Sequence, residues 1–105
     1  MPPTNGTTSD EIRLERKIKG GKLLGCRARI DGGRIESVRF LGDFFLHPEQ
    51  VLEGLEESLR GMDRGGALKA VRTALDSTEV EMVGVAPADF ENLLGEAFDR
   101  GGSNA

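Results

Sequence analysis

Apolar and polar positions alternate along the first third of the chain and then change to helical spacing. Ile12, Leu14 and Ile18 fall on alternate positions with Arg16 completing their face, so residues 11–19 are predicted to be a strand. Its charge marks it as a sheet edge, where cationic side chains discourage stray pairing. Gly20-Gly21 turns the chain. From Lys22 to Asp31, Leu24, Cys26, Ala28 and Ile30 line one face, and Leu23, Gly25, Arg27 and Arg29 line the other. Asp31-Gly32-Gly33-Arg34 is a hairpin signal, because turn glycines take positive φ without steric cost. In the third strand Val38 and Phe40 share a face while Ile35 is out of phase, which predicts a bulge between Ile35 and Val38. The strand stops at Gly42-Asp43, and Phe44 and Phe45 follow side by side. Adjacent side chains diverge in either regular conformation, so one ring is predicted to enter the core and the other to be available for a partner.

Three helical patterns come next. Val51, Leu52, Leu55, Leu59 and Met62 form one face of a helix starting at Pro48 and ended by Gly61. Asp63-Arg64-Gly65-Gly66 reads as a loop. Leu68, Val71 and Leu75, flanked by Ala67, Ala70 and Ala74, make a second helix with a small-residue side. Residues 80–85 are apolar at mixed spacing and fit a short strand or a packed loop. Phe90, Leu93, Leu94, Ala97 and Phe98 define a third helix opened by Pro87, with Ala86 at a cap position that lacks a side-chain oxygen. Gly54 and Gly95 lie inside helices, which suggests close backbone contact. The expected architecture is α+β: a small three-stranded antiparallel sheet covered on one face by about three helices. Residues 1–10 are expected to be a disordered tail, 11–100 a single domain and 101–105 a frayed end.

Composition narrows the function classes. At 105 residues with 30% charged side chains, the chain fits one soluble domain, and no apolar run approaches the ~18 residues of a membrane span. Its start has neither the basic nor the apolar segment of a secretory signal, and Cys26 is the only cysteine, so a reducing cytoplasm is the expected location. Net charge is −4, but residues 12–39 hold nine basic against three acidic side chains, and residues 43–100 hold thirteen acidic against five basic. A basic sheet is either a solvated face or a surface for an anionic partner or nucleotide. Base-stacking aromatics are missing from the arginine-rich strands, which argues against nucleic acid.

Catalytic candidates are sparse. His47 precedes Pro48 and reads as a helix-entry residue, with no ligand partners at metal spacing. Cys26 sits on the apolar alternation of its strand and reads as a small core residue. Asp43 is placed to bond the amides of its own turn. The glycine pairs match no phosphate-binding or dinucleotide motif. No catalytic residue and no metal ligand is assigned, and the segment Gly42-Asp43-Phe44-Phe45 reads as a docking device.

Lys19-Gly20-Gly21-Lys22-Leu23-Leu24, Asp31-Gly32-Gly33-Arg34-Ile35, Val38-Arg39-Phe40, Gly42-Asp43-Phe44-Phe45-Leu46 and Pro48-Glu49 together resemble the C-terminal accessory domain of lipoate–protein ligases, which also occurs as a separate small subunit. The resemblance spans about residues 12–98, with Gly-Asp-Phe-Phe its most specific part; Ala86 stands where that family often has serine. It implies a fold similar to iron–sulfur scaffold and sulfur-acceptor proteins, although the cysteines of their chemistry are lacking. It further implies a non-catalytic subunit that binds no cofactor alone and assembles with a large catalytic subunit. That subunit uses lipoate and magnesium-ATP to make lipoyl-adenylate, then modifies lipoyl-domain proteins: 2-oxoacid dehydrogenase acyltransferases and the glycine-cleavage H protein. On this resemblance Gly42, Asp43, Phe44 and Phe45 form the partner interface, and Lys17 and Lys22 lie near phosphate. An iron–sulfur scaffold-like or other small interaction domain is the alternative.

Overall fold

The computed structural model describes residues 11–18, 20 and 22–102. The predicted tail at 1–10, residues 103–105, and Lys19 and Gly21 of the first turn lie outside the described residues. Strands β1 (Glu11–Lys17), β2 (Leu23–Asp31) and β3 (Arg34–Gly42) form an antiparallel sheet in the order β1-β2-β3. β1 therefore lies at an edge, as its charges suggested.

The β2–β3 turn is a two-residue hairpin with Gly32 and Gly33 at φ of 62° and 80°. Both central residues have the left-handed twist that joins right-twisted strands without splaying them. The predicted bulge is present. Ile30 pairs with Ile35 but Arg29 pairs with Ser37, so Glu36 is the extra residue on β3. That insertion returns Ile35 to the face of Val38 and Phe40, and all three are buried.

Helices α1 (Glu49–Ser58), α2 (Arg64–Leu75) and α3 (Pro87–Gly102) follow on one side of the sheet. α3 lies across β1 and β2, α1 lies against β3, and α2 packs on α3 and α1. The core is the apolar face read from the sequence: Leu24, Cys26 and Phe40 from the sheet meet Leu59, Val71, Phe90 and Leu94 from the helices. The α1–α2 connection is tied to the sheet by Gly61 N–H donating to Ile35 O (2.7 Å) and Ile35 N–H donating to Met62 O (2.9 Å).

Helix boundaries depart from the sequence reading at several points: α1 ends at Ser58, ahead of Gly61, and α3 continues to Gly102, into the end expected to fray. Pro48 is the N-cap of α1 with extended backbone, φ −79° and ψ 145°, rather than its first helical residue. Asp63-Arg64-Gly65-Gly66 is not a loop but the capped start of α2, where the Asp63 carboxylate accepts the Gly66 N–H at 2.9 Å. A side-chain oxygen that satisfies a first-turn amide outweighs the poor helix propensity of two glycines. At α3 the missing oxygen of Ala86 is offset from the other side: the Asp89 carboxylate accepts the Ala86 N–H at 2.8 Å, half of a capping box.

The two helical glycines separate. A side chain at Gly95 would meet the Arg64 guanidinium and Leu68, so close packing on α2 explains it. Gly54 faces open space, and the close contact expected for it is not there. Finally, residues 80–85 contain strand β5 (Glu81–Val83), which pairs antiparallel with a short strand β4 (Phe45–His47) in a separate two-stranded ribbon.

Candidate functional site

Gly42 ends β3 where the chain crosses the start of β2. Its φ is 154°, and a Cβ built there would lie 2.1 Å from Leu23 O, so only glycine permits this crossing. Asp43 fastens it: its carboxylate accepts the Leu23 N–H at 2.6 Å, while its own N–H donates to Leu23 O at 3.3 Å. The carboxylate is thus engaged with a backbone amide at the start of β2, twenty residues earlier, and not with the amides of its own turn as expected from sequence. The segment leaves the sheet in a fixed direction and delivers Phe44 and Phe45 to opposite sides.

Phe44 turns inward. Its ring meets Phe90 edge-on at 5.4 Å and 86°, and Phe90 in turn meets Phe40 at 5.1 Å and 71°. These are the T-shaped arrangements aromatic quadrupoles favour. Phe45 turns outward as the first residue of β4 and is 50% exposed. Opposite it across the ribbon is Val83, 56% exposed, and beside it the His47 ring lies parallel at 6.3 Å. Leu46 and Met82, the alternate pair, face the core. The ribbon therefore has a packed face and an apolar, solvent-facing one. Leu23 and Leu41, at 37% and 41%, are the other large exposed hydrophobics among the described residues.

A groove of about 410 Å³ opens beside Phe45, bounded by Arg39, Leu41, His47, Leu52 and Glu56. Glu56 lines it and accepts the Phe40 N–H at 2.7 Å, satisfying an outward amide of edge strand β3. Burial pushes the Glu56 carboxyl above the usual glutamate range, against the opposing pull of that hydrogen bond and of Arg39.

Lys17 is opposite Leu23 in the β1–β2 pairing, and Lys22 directly precedes Leu23, so both flank the residue that Asp43 holds. Lys17 borders a cleft of about 610 Å³ with Arg16, Ala86 and Glu96, in which Arg16 is ion-paired to Glu96. The stem of Lys22 lies against Gly84, where a side chain would overlap its Cγ. Acidic Asp89 and Glu96 share the Lys17 cleft and reduce its positive character. Cys26 is buried in the sheet, and desolvation pushes its thiol up to about 12, in keeping with a core residue. Among the described residues no group of three or more histidine, cysteine or carboxylate side chains is placed to hold a metal, and no helix is long and apolar enough to cross a membrane.

The sequence reading missed the ribbon and with it Val83. The alternation Glu81-Met82-Val83 was its available signal, too short to separate a strand from a packed loop.

No protein-family model matches the chain. It is similar to lipoate-protein ligase A subunit 2 of Thermoplasma acidophilum, with 33% identity over 78 residues, covering 74% of this chain and 81% of that one. The fold is similar to a chain in the structure of an archaeal lipoylation system, a bi-partite lipoate protein ligase and its E2 lipoyl domain, from the same organism. That match has a TM-score of 0.66 and 29% identity and covers 81% of this chain and 97% of the other. The α+β sheet-and-helix layer and the similarity at this level of identity converge: the chain belongs to the lipoate–protein ligase A subunit 2 family of accessory subunits.

Proposed function

We propose that this chain is the non-catalytic half of a two-part lipoate–protein ligase, docking on a large catalytic subunit and permitting ATP-dependent formation of lipoyl-adenylate. The observation that carries the reading is the division of the phenylalanine pair. Phe44 is locked against Phe90, whereas Phe45 is held out with Val83 on a ribbon that the Gly42–Asp43 clasp fixes in place. A half-exposed aromatic on a rigid support is the usual form of an interface anchor, because little conformational freedom remains to be lost on binding.

In this reading Gly42 and Asp43 position the ribbon, Phe44 supports it and Phe45 enters a pocket on the catalytic subunit. Lipoate and magnesium-ATP are substrates of the complex, held by the catalytic subunit. The accessory chain orders that subunit's loops and excludes water around the acyl phosphate. Lys17 and Lys22, both beside Leu23, would add positive charge toward the phosphates. The assembled ligase then serves lipoyl domains of 2-oxoacid dehydrogenase acyltransferases and the H protein. An iron–sulfur scaffold role is disfavoured by Cys26, which is enclosed in the sheet with its thiol held protonated.

The test is reconstitution with the catalytic subunit, lipoate, magnesium-ATP and an acceptor lipoyl domain, read by the acceptor's mass. The lipoyl increment appears only when this chain is added; an equal increment without it overturns the proposal.

A further inference from the structure

Strand β3 is an outer strand of the sheet, and the backbone groups on its free side need closing by something other than a neighbouring strand. At its start the closure is local: Ile35 exchanges backbone hydrogen bonds with Gly61 and Met62, and Arg34 bridges Asp63. Beyond the Glu36 bulge the phase of the edge is set by Phe40, whose N–H leaves the sheet and donates to Glu56 Oε2 at 2.7 Å. Val38 and Gly42 stand two residues to either side, so their backbone groups share that outward phase. Helix α1 lies against β3 but leaves room along this side. The groove of about 410 Å³ borders Phe40, Leu41 and Gly42, and a second depression of about 400 Å³ borders Ser37, Val38 and Arg39. Glu53 and Glu56 line both hollows, and of the two it is Glu56 that holds the strand's amide. Burial and the like charge of Glu53 both disfavour the ionised form of Glu56, against the Phe40 bond and Arg39. A carboxylate kept in place at that cost is explained by what it closes.

We infer that Glu56 is a guard on the β3 edge: by occupying the Phe40 amide it bars a second copy of this chain from adding its own β3 there. The inference does not rest on the function proposed above. The excluded partner is another β3 because this stretch of strand is complementary to itself. Two copies paired antiparallel about Phe40 set Val38 opposite Gly42 and Arg39 opposite Leu41. All three outward residues then exchange N–H···O bonds, and no arginine faces another. Val38 and Phe40, both buried, would continue one apolar face from sheet to sheet. In that register the two Glu56 carboxylates meet at the centre, where each copy's Phe40 carbonyl must also lie. Negative charge there takes the central donor and repels the acceptor that would replace it.

The experiment follows sedimentation of the full chain over a concentration series, with hydrogen exchange of the Phe40 amide read by NMR on the same samples. Glu56→Ala and Glu56→Leu remove the acceptor, and Glu56→Gln keeps it. Glu53→Leu adds an apolar side chain to the same hollows and leaves the Phe40 bond intact. Each variant is first checked for a cooperative unfolding transition. Wild type, Glu56→Gln and Glu53→Leu are expected to stay monomeric, whereas Glu56→Ala and Glu56→Leu dimerise as concentration rises. In dilute solution the Phe40 amide of those two exchanges about tenfold faster than in wild type, and dimer formation slows it again. A folded Glu56→Ala chain that remains monomeric to its solubility limit overturns the inference. So does equal association of Glu53→Leu, which traces the effect to added apolar surface, or of Glu56→Gln, which shows that the acceptor is not the guard. A dimer in which the Phe40 amide still exchanges fast places the contact elsewhere and also overturns it. One check needs no variant: a wild-type Phe40 amide that exchanges as fast as in the unfolded chain contradicts the closure itself.

Discussion

Replacing Phe44 and Phe45 separately by alanine divides stability from assembly. Phe44 is partly enclosed and meets Phe90 edge-on. Fully buried Phe→Ala changes cost about 3–5 kcal/mol, and a T-shaped pair contributes ~0.5–1.5 kcal/mol beyond area. Because Phe44 keeps some exposure, about 2–3 kcal/mol is expected. At roughly 4–8 °C per kcal/mol for a domain near this size, Phe44→Ala lowers the melting temperature by on the order of 10–20 °C. Phe45 is half exposed, on a ribbon whose packing falls to Leu46 and Met82, so Phe45→Ala stays within about 0.5 kcal/mol of wild type. Its effect is on the partner: loss of a central aromatic anchor costs about 2 kcal/mol or more, a Kd increase of ~30-fold. Thermal unfolding of the free chain and calorimetric titration into the catalytic subunit supply the two numbers. Equal destabilisation by both changes, or an unaltered Kd for Phe45→Ala with wild-type folding, would refute the reasoning.

Three further changes probe the fold. Burial raises the Glu56 carboxyl, so the folded state takes up its proton more readily than the unfolded chain; its contribution to stability is present in full below the ordinary glutamate range and is lost as pH rises through the raised value. Glu56→Gln keeps an acceptor for the Phe40 N–H, and its melting temperature relative to wild type should be highest at neutral pH and fall as the medium is acidified; a difference independent of pH contradicts this. Cys26, with its thiol pushed up to about 12, should resist a thiol reagent at pH 8 in the native chain and react fully after denaturation, whereas rapid native labelling would show the site to be open. Gly54→Ala fills open space on an exposed helix position and should raise stability by up to about 1 kcal/mol in denaturant titrations; a loss would reveal a constraint on that backbone.

The sheet and its apolar face were legible because a period of two over β2 leaves little choice of which residues face inward, and the out-of-phase Ile35 disclosed the bulge. The division of Phe44 from Phe45 was legible from geometry alone, but not which ring goes where; that depends on Phe90, some forty-five residues later, receiving Phe44. The start of α2 was hidden because Gly65 and Gly66 look like a loop until the Asp63 carboxylate is seen on the Gly66 amide. The β4–β5 ribbon joins two three-residue strands across more than thirty intervening residues, a pairing with no local signature. The Glu56 bond is likewise a product of packing: that glutamate is indistinguishable from its neighbours on α1 until the helix lies on β3 and its carboxylate meets the Phe40 amide.

The most direct test of the account separates the two half-reactions of the catalytic subunit. Pyrophosphate release from lipoate and ATP is followed while this chain is titrated in, and transfer from preformed lipoyl-adenylate to a lipoyl domain is followed in parallel. The account predicts that the first rate climbs to a plateau with added chain while the second hardly moves. Pyrophosphate release that is as fast with no accessory chain as at saturation would contradict it.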